Sequence, residues 1–230
     1  MSNQPLVTCI VPTRPSRKVF WPIVFRCFQN QIWPNKELLL INEEKEILPP
    51  GVRQIIVPEN TSIGEKLNIG VENSKANFFH KWDDDDWYGP QFLERLIRPF
   101  FSKQIGVLSL LGSHLVFLLD DWELRATGAG TLGGGTICFD RKAWEERKFE
   151  PISFGEDSRF YEDRDKLYCI SDCPLNYVLV RHYNNTWAKW SDGKSVENIF
   201  LERGEPLIGG PERFFPLEDL KVYQQIRDRG

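Results

Sequence analysis

Histidine and methionine are scarce in this 230-residue sequence, which holds three of the former and one of the latter. No apolar run approaches the roughly 20 residues that span a bilayer, so no transmembrane segment is expected. The opening stretch, Met1-Ser2-Asn3-Gln4-Pro5, is polar and runs straight into a strand-like segment, unlike a secretory signal peptide. The expectation is a cytoplasmic protein, with peripheral contact at a membrane surface left open. Cysteine is also sparse: Cys9, Cys27, Cys138, Cys169 and Cys173 make an odd number without metal-ligand spacing, which argues against a disulfide framework or a zinc site. Cys9 and Cys138 lie in apolar runs and read as small core residues. Charge of one sign is not in excess either. A net charge of -4 gives no general attraction to nucleic acid.

Aromatic residues, in contrast, are plentiful, with eight Trp and sixteen Phe. Trp82, Trp87, Trp122, Trp187 and Trp190 lie beside acidic or polar clusters. Rings in such places suit sugars or nucleobases, which are apolar on one face and wet at the edge; the plain alternative is that they are core aromatics.

Residues 6–11 (LVTCIV), 37–41 (ELLLI), 53–57 (RQIIV) and 77–82 (NFFHKW) are short apolar runs of strand type. Between them lie helical segments, one over 18–31 and one from Ser62 to about Asn73. In the second, Ser62 and Glu65 have the spacing of a capping box. Another helix follows Gly89-Pro90 to about Phe101. Strands alternating with helices imply a mostly parallel sheet covered on both faces. Ligands of such sheets bind beyond the carboxyl ends of the strands, which is where the loops after Val11, Ile41 and Trp82 fall. The second half reads as short strand-like pieces over 115–119, 122–126 and 136–139, helices over 140–147 and 155–165, and a late strand over 177–181. From Asn184 the chain looks irregular until a short helix over 217–227. Nothing divides the chain convincingly into two domains.

The strongest local signal is Trp82-Asp83-Asp84-Asp85-Asp86-Trp87. Four adjacent carboxylates repel one another and serve a neutral structural role poorly. On an extended chain Asp83 and Asp85 point the same way, and oxygen ligands at that spacing suit Mg²⁺ or Mn²⁺. The alternative is a solvated acidic loop.

In order, these features resemble the family 2 glycosyltransferases with the GT-A fold. Val7-Thr8-Cys9-Ile10-Val11-Pro12-Thr13 is similar to the family's opening strand and turn. The helix bearing Gly64, Asn68 and Gly70 resembles its glycine–asparagine–glycine helix. Asp83-Asp84-Asp85-Asp86-Trp87 resembles its Asp-x-Asp motif, and Gly155-Glu156-Asp157 its acceptor-side Glu-Asp motif. The likeness covers roughly residues 6–187. It implies an α/β fold with a mostly parallel sheet flanked by helices and a smaller mixed sheet on the acceptor side. It also implies a domain over 1–190, donor-binding to about 105 and acceptor-binding over 106–190, with 191–230 as a tail packed on it.

The same resemblance implies roles. Asp85 and Asp83 would hold the metal, with His182 as a late third ligand or an ordinary hydrogen-bonded histidine. Asp157, with Glu156 as fallback, would take the proton from the acceptor hydroxyl; the bland reading is an acidic pair at a helix start. Pro12, Thr13, Arg14, Asn42, Glu43, Lys66, Asp83, Asp84, Gly134 and Arg181 would surround the donor. Asn42-Glu43 stands where the family usually has Asp, which leaves the base open among UDP-, GDP- and dTDP-linked donors. The expected activity is inverting, metal-dependent transfer of a sugar to a hydroxyl on a glycan, lipid-linked or small-molecule acceptor, in surface polysaccharide or glycan synthesis. Two competitors are a sugar nucleotidyltransferase, which should open with a glycine-rich triphosphate loop that Arg14-Pro15-Ser16-Arg17-Lys18 is not, and a non-catalytic nucleotide-sugar or glycan-binding domain.

Overall fold

The structure, a computed structural model, describes residues 4–103, 106–110, 114–127, 133–164, 167–170, 174–183, 185–186 and 195–229. Cys173, Asn184, Trp187 and Trp190 lie outside the described residues.

The opening run forms strand β1 (Val7–Pro12), buried along its whole length. A short 3₁₀ helix (Pro15–Phe20) and helix α1 (Trp21–Gln29) follow, where the sequence reads as one longer helix. Strands β2 (Lys36–Asn42) and β3 (Val52–Ile56) lead to helix α2 (Ile63–Glu72). The expected capping box is present: Ser62 Oγ accepts from the Glu65 N–H and Glu65 accepts from the Ser62 N–H. Strand β4 (Phe78–Lys81) delivers the chain into the aspartates, and β5 (Trp87–Tyr88) and α3 (Phe92–Lys103) carry it away. The remainder comprises β6 (Val107–Leu110), β7 (Leu115–Leu118), β8 (Glu123–Ala126), β9 (Cys138–Asp140), α4 (Arg141–Glu146), α5 (Glu156–Tyr161), β10 (Leu167–Ile170) and β11 (Tyr177–Arg181). It ends with α6 (Val196–Arg203), β12 (Glu205–Pro206) and α7 (Leu217–Arg227). Strands β5, β6, β10 and β12 and helix α6 were not expected from the sequence; α6 and β12 occupy a stretch that reads as irregular.

Two sheets result. The larger has the order β10-β6-β9-β4-β1-β2-β3 and is parallel except at β9, which runs antiparallel to both its neighbours. The smaller, β12-β8-β7-β11-β5, is mixed, with β7 and β11 parallel. Each sheet draws strands from both halves of the chain. The central strands β1, β2 and β4 are largely buried, which explains why they read as continuous apolar runs. Alternation sorts the side chains: Cys9, Leu38, Leu40 and Trp82 join the core with α1 and α3, while Ile10, Leu39, Ile41 and Phe79 join that with α2, α4 and α5. The tail belongs to the first core through Phe215, Leu220, Tyr223 and Ile226. Its Asp219 accepts from Arg26 Nε at 2.6 Å and Trp87 Nε1 at 3.1 Å, which fastens α7 directly behind the aspartate run. Among the described residues no helix is long and apolar enough to cross a membrane.

Candidate active site

The carboxyl ends of β1 and β4, the start of α5 and the end of β11 border one cleft of about 1780 Å³. Single small-molecule sites run to roughly 300–1,000 Å³, so this space accommodates more than one substrate.

The four aspartates do not alternate along an extended strand. Residues 84–86 bend, and the carboxylates fan out to different sets of partners, with Arg17 shared by Asp84 and Asp85. Asp84 is fastened to the first loop: Thr13 Oγ1 donates to its Oδ2 at 2.6 Å and Arg17 Nε to its Oδ1 at 2.7 Å. Trp21 Nε1 in turn donates to Thr13 Oγ1 at 3.1 Å. Asp86 is fastened to β11, accepting from the Val180 N–H at 2.9 Å and from the Tyr177 hydroxyl. Burial, with Asp85 and Asp83 nearby, pushes Asp86 well above the ordinary carboxylate range.

Asp85 lies between them. Its Oδ2 meets Arg17 Nη2 at 2.5 Å, His182 Nε2 at 3.1 Å and Asn185 Nδ2 at 2.9 Å. Burial alone would raise its pKa, but Arg17 and His182 outweigh burial and hold it below the usual carboxylate range. Asp83 turns the other way and receives Lys81 Nζ on both oxygens, at 2.7 and 2.9 Å. The same ammonium lies 3.8 Å from Glu156 and 3.9 Å from Asp157. Burial works against the charge on Lys81, yet Asp83, Asp157 and Glu156 together hold its pKa above the ordinary lysine value. Glu156 is 4% exposed; burial first, then Asp157, raises it to about 7 against the pull of Lys81. Asp157 Oδ1 accepts from the Ser158 N–H at 2.6 Å, leaving Oδ2 toward Lys81.

Glycine makes this convergence fit. A Cβ on Gly134 would stand 1.6 Å from Asp157 Oδ2, and one on Gly135 would stand 2.7 Å from Asp86 Oδ2 and 2.9 Å from Asp83 Oδ2.

Of the residues expected around a donor, Pro12, Thr13, Arg14, Glu43, Lys66, Asp83, Asp84, Gly134 and Arg181 all line the cleft. Lys66 is 4% exposed, its Nζ held by Thr13 O at 2.7 Å and Glu43 Oε1 at 2.8 Å, so it braces the wall. Asn42 is fully buried and donates to Glu44 O at 2.9 Å; it lies behind the lining. His182, 4% exposed, also stands behind it, against Asp85. The tryptophans follow the plain alternative where they are described. Trp82 packs on Tyr88 with centroids 4.1 Å apart, Trp87 on Phe214 at 5.1 Å, and Trp122 on Phe117 at 5.2 Å. Among the described residues, Phe154, Tyr161 and Phe200 line the cleft, with the His114 ring.

Arg17 and Lys81 are the residues that sequence reasoning missed. Arg17 is one of three cations within residues 14–18, and nothing local marks it. Lys81 had a signal, a lone cation ending an otherwise apolar and aromatic strand.

A divalent cation fits part of this donor set. Asp83 and Asp85 both face the cleft, and the bonds to Asp85 from described residues all end on Oδ2, so Oδ1 is the oxygen a cation would take. Among the described residues no three His, Cys, Asp or Glu side chains are gathered as one metal-binding group; Asp83, Asp85 and His182 are not assembled around a point. Two carboxylates supplemented by phosphate oxygens and water match the habit of Mg²⁺.

No family model matches the chain. In sequence it is similar to an uncharacterized glycosyltransferase of Haemophilus influenzae, 20% identical over 223 residues, spanning 80% of this chain and 68% of that one. It is also similar to the putative glycosyltransferase EpsH of Bacillus subtilis, 26% identical over 80 residues, or 30% of this chain and 23% of that one. The fold is similar to those of solved structures that include a mannosyltransferase. It resembles S. aureus TarS 1–349 with a TM-score of 0.55 and 14% identity, over 76% of this chain and 60% of that one. It resembles the mannosyltransferase PcManGT of Pyrobaculum calidifontis with a TM-score of 0.56 and 14% identity, over 81% of this chain and 59% of that one. The chain thus spans about 60% of the length of these solved neighbours. In sequence it is similar to proteins named as glycosyltransferases, and in fold to a mannosyltransferase.

Proposed function

We propose that the chain is an inverting, metal-dependent glycosyltransferase of the family 2, GT-A type, moving a sugar from a nucleotide-diphosphate-sugar to a hydroxyl acceptor in surface polysaccharide or glycan synthesis. The observation that carries this is the meeting, in one cleft, of the aspartate run after β4 with the Glu156–Asp157 pair of α5. Two carboxylate groups with different surroundings serve different tasks, one at the diphosphate and one at the acceptor. Solved neighbours were determined with GDP-Man and Mn²⁺ in one case and with UDP or UDP-GlcNAc in another, which agrees with a diphosphate-bearing donor.

Asp157 Oδ2 takes the proton from the acceptor hydroxyl as that oxygen attacks the anomeric carbon. The bond from that carbon to the diphosphate breaks, and the leaving oxygen keeps the electron pair. Asp83 and Asp85 would hold a divalent cation, which when bound neutralises the leaving diphosphate. Arg14, exposed at the cleft, and Arg181, buried in its wall, add positive charge for the phosphates. Thr13 is fixed by Asp84 and Trp21, so the nucleotide side is set before a ligand arrives.

Thermal unfolding with UDP-GlcNAc or GDP-mannose, with and without Mn²⁺, tests this reading. A donor at 100 times its Kd stabilises by about 2.7 kcal/mol, which raises the melting point of a chain this size by about 5–11 °C. Asp85→Asn should abolish the Mn²⁺-dependent part and transfer while leaving the chain folded. Asp157→Asn should lower turnover and spare donor binding. Full transfer by a folded Asp85→Asn chain would sink the metal role, and no shift with any nucleotide-sugar would sink the reading as a whole.

A further inference from the structure

Lys81 has no part in the chemistry assigned so far. It is the last residue of β4, and its side chain shares a face with Phe79, two residues earlier. That face carries α5: Phe79 stacks on Phe139, and Phe139 meets Phe160 of α5 with centroids 5.0 Å apart. The strand thus aims Nζ at the start of α5 as well as at Asp83. An ammonium that is 4% exposed is costly, since a charge taken out of water loses its hydration. An apolar side chain would fill this strand end at no such cost, as Phe79 does beside it. What Lys81 does that no apolar residue can is face three carboxylates from two distant segments, Asp83 at 2.7 Å, Glu156 at 3.8 Å and Asp157 at 3.9 Å. The backbone accommodates the same convergence, because Gly134 lies against Asp157 and Gly135 against Asp83 where any Cβ would push them apart.

We infer that Lys81 is a positioning residue for transfer, a strut that sets the donor-side carboxylate Asp83 and the acceptor-side carboxylate Asp157 at a fixed separation. The inference rests on the glycosyl-transfer reading. Lys81 acts through the two carboxylates and not on the sugar. A 1 Å misplacement of a reacting group is enough to cost about 100-fold in rate, and Lys81 is the group among the described residues that touches both sides.

The test follows nucleoside diphosphate release from UDP-GlcNAc and GDP-mannose, with water as acceptor. Lys81→Met, Lys81→Arg, Asp157→Asn and the Lys81→Met/Asp157→Asn double variant are compared with the unchanged chain. Lys81→Met should lose about 100-fold in kcat with a smaller change in donor KM, and Lys81→Arg should recover part of the loss. The double variant should be slower than Asp157→Asn by much less than Lys81→Met is slower than the unchanged chain, because the part of the loss that runs through Asp157 is already gone. An unchanged kcat in Lys81→Met, or losses that multiply in the double variant, overturns the inference. A second arm needs no donor. Lys81→Met leaves the carboxylates without their cation and should melt lower, and Asp157→Asn in that background should raise the melting point again. A double variant that melts no higher than Lys81→Met overturns the inference independently. Failure of every nucleotide-sugar to bind the unchanged chain defeats the transfer reading instead, and with it the transfer role of Lys81.

Discussion

His80 offers a test of the site's foundation that requires no substrate. It stands next to Lys81, fully buried, with its ring centroid 5.6 Å from Trp82, 5.5 Å from Tyr88 and 4.9 Å from Phe92. Among the described residues neither ring nitrogen makes a hydrogen bond of full geometry, and only the Gly135 backbone pulls weakly toward the charged form. Burial first, and the neighbouring Lys81 ammonium second, push its pKa down from 6.5 to about 3. Between those values the unfolded chain binds a proton that the folded chain refuses. Stability is therefore whole above pH 6.5 and falls as the pH drops toward 3. The loss is about 1.4 kcal/mol per pH unit below 6.5, or about 2.7 kcal/mol between pH 7.5 and 4.5. For a chain this size that is about 5–11 °C in melting temperature. His80→Leu keeps the site apolar and removes the titration. Urea unfolding of both chains at pH 7.5, 6.5, 5.5 and 4.5 should show the unchanged protein losing about 2.7 kcal/mol more than the variant across the window. The carboxylates common to both cancel in the difference. Parallel stability curves for the two chains would refute a neutral, buried His80.

Other expectations follow from the same geometry. Gly134→Ala places a methyl 1.6 Å from Asp157 Oδ2; the carboxylate must move by more than 1 Å, and turnover should fall about 100-fold or more with donor binding retained, as read by nucleoside diphosphate release and calorimetry. Arg17→Met leaves Asp84 and Asp85 buried without their cation, so stability at neutral pH should fall by about 3–5 kcal/mol, or about 6–20 °C in melting point; a fall below about 1 kcal/mol would show the pair to be mere surface decoration. Glu156 is raised to about 7, so if its charge supports proton removal by Asp157 the rate rises with pH through 7, and Glu156→Gln should erase that limb of the kcat/KM profile.

Much of the architecture was legible in one dimension because its causes are local. The capping box of α2 needs only Ser62 and Glu65 three residues apart, and α7 spans the expected 217–227. Strands β1, β2 and β4 announce themselves as continuous apolar runs because helices cover both faces of their sheet. Strands β6 and β10 pair with one another in parallel, a relation that leaves no mark in either segment alone. The aromatic reading failed for a related cause: Trp82, Trp87 and Trp122 are flanked by polar residues in sequence, yet their own side chains turn into the core.

At the site, the sequence by itself determined the inventory: a run of carboxylates at the carboxyl end of a buried strand, an acidic pair after a glycine, and glycines between them. The division of labour was decided only in three dimensions. Asp84 is bound by Thr13 and Arg17 from 71 and 67 positions away, and Asp86 by Tyr177 and Val180 from 91 and 94. All four line the cleft, and spacing along the chain cannot say which distant residues hold each of them. The electrostatics are likewise a property of the assembled fold, since the desolvation that raises Glu156 and the pairing that lowers Asp85 exist only once burial and long-range contacts bring the charges together.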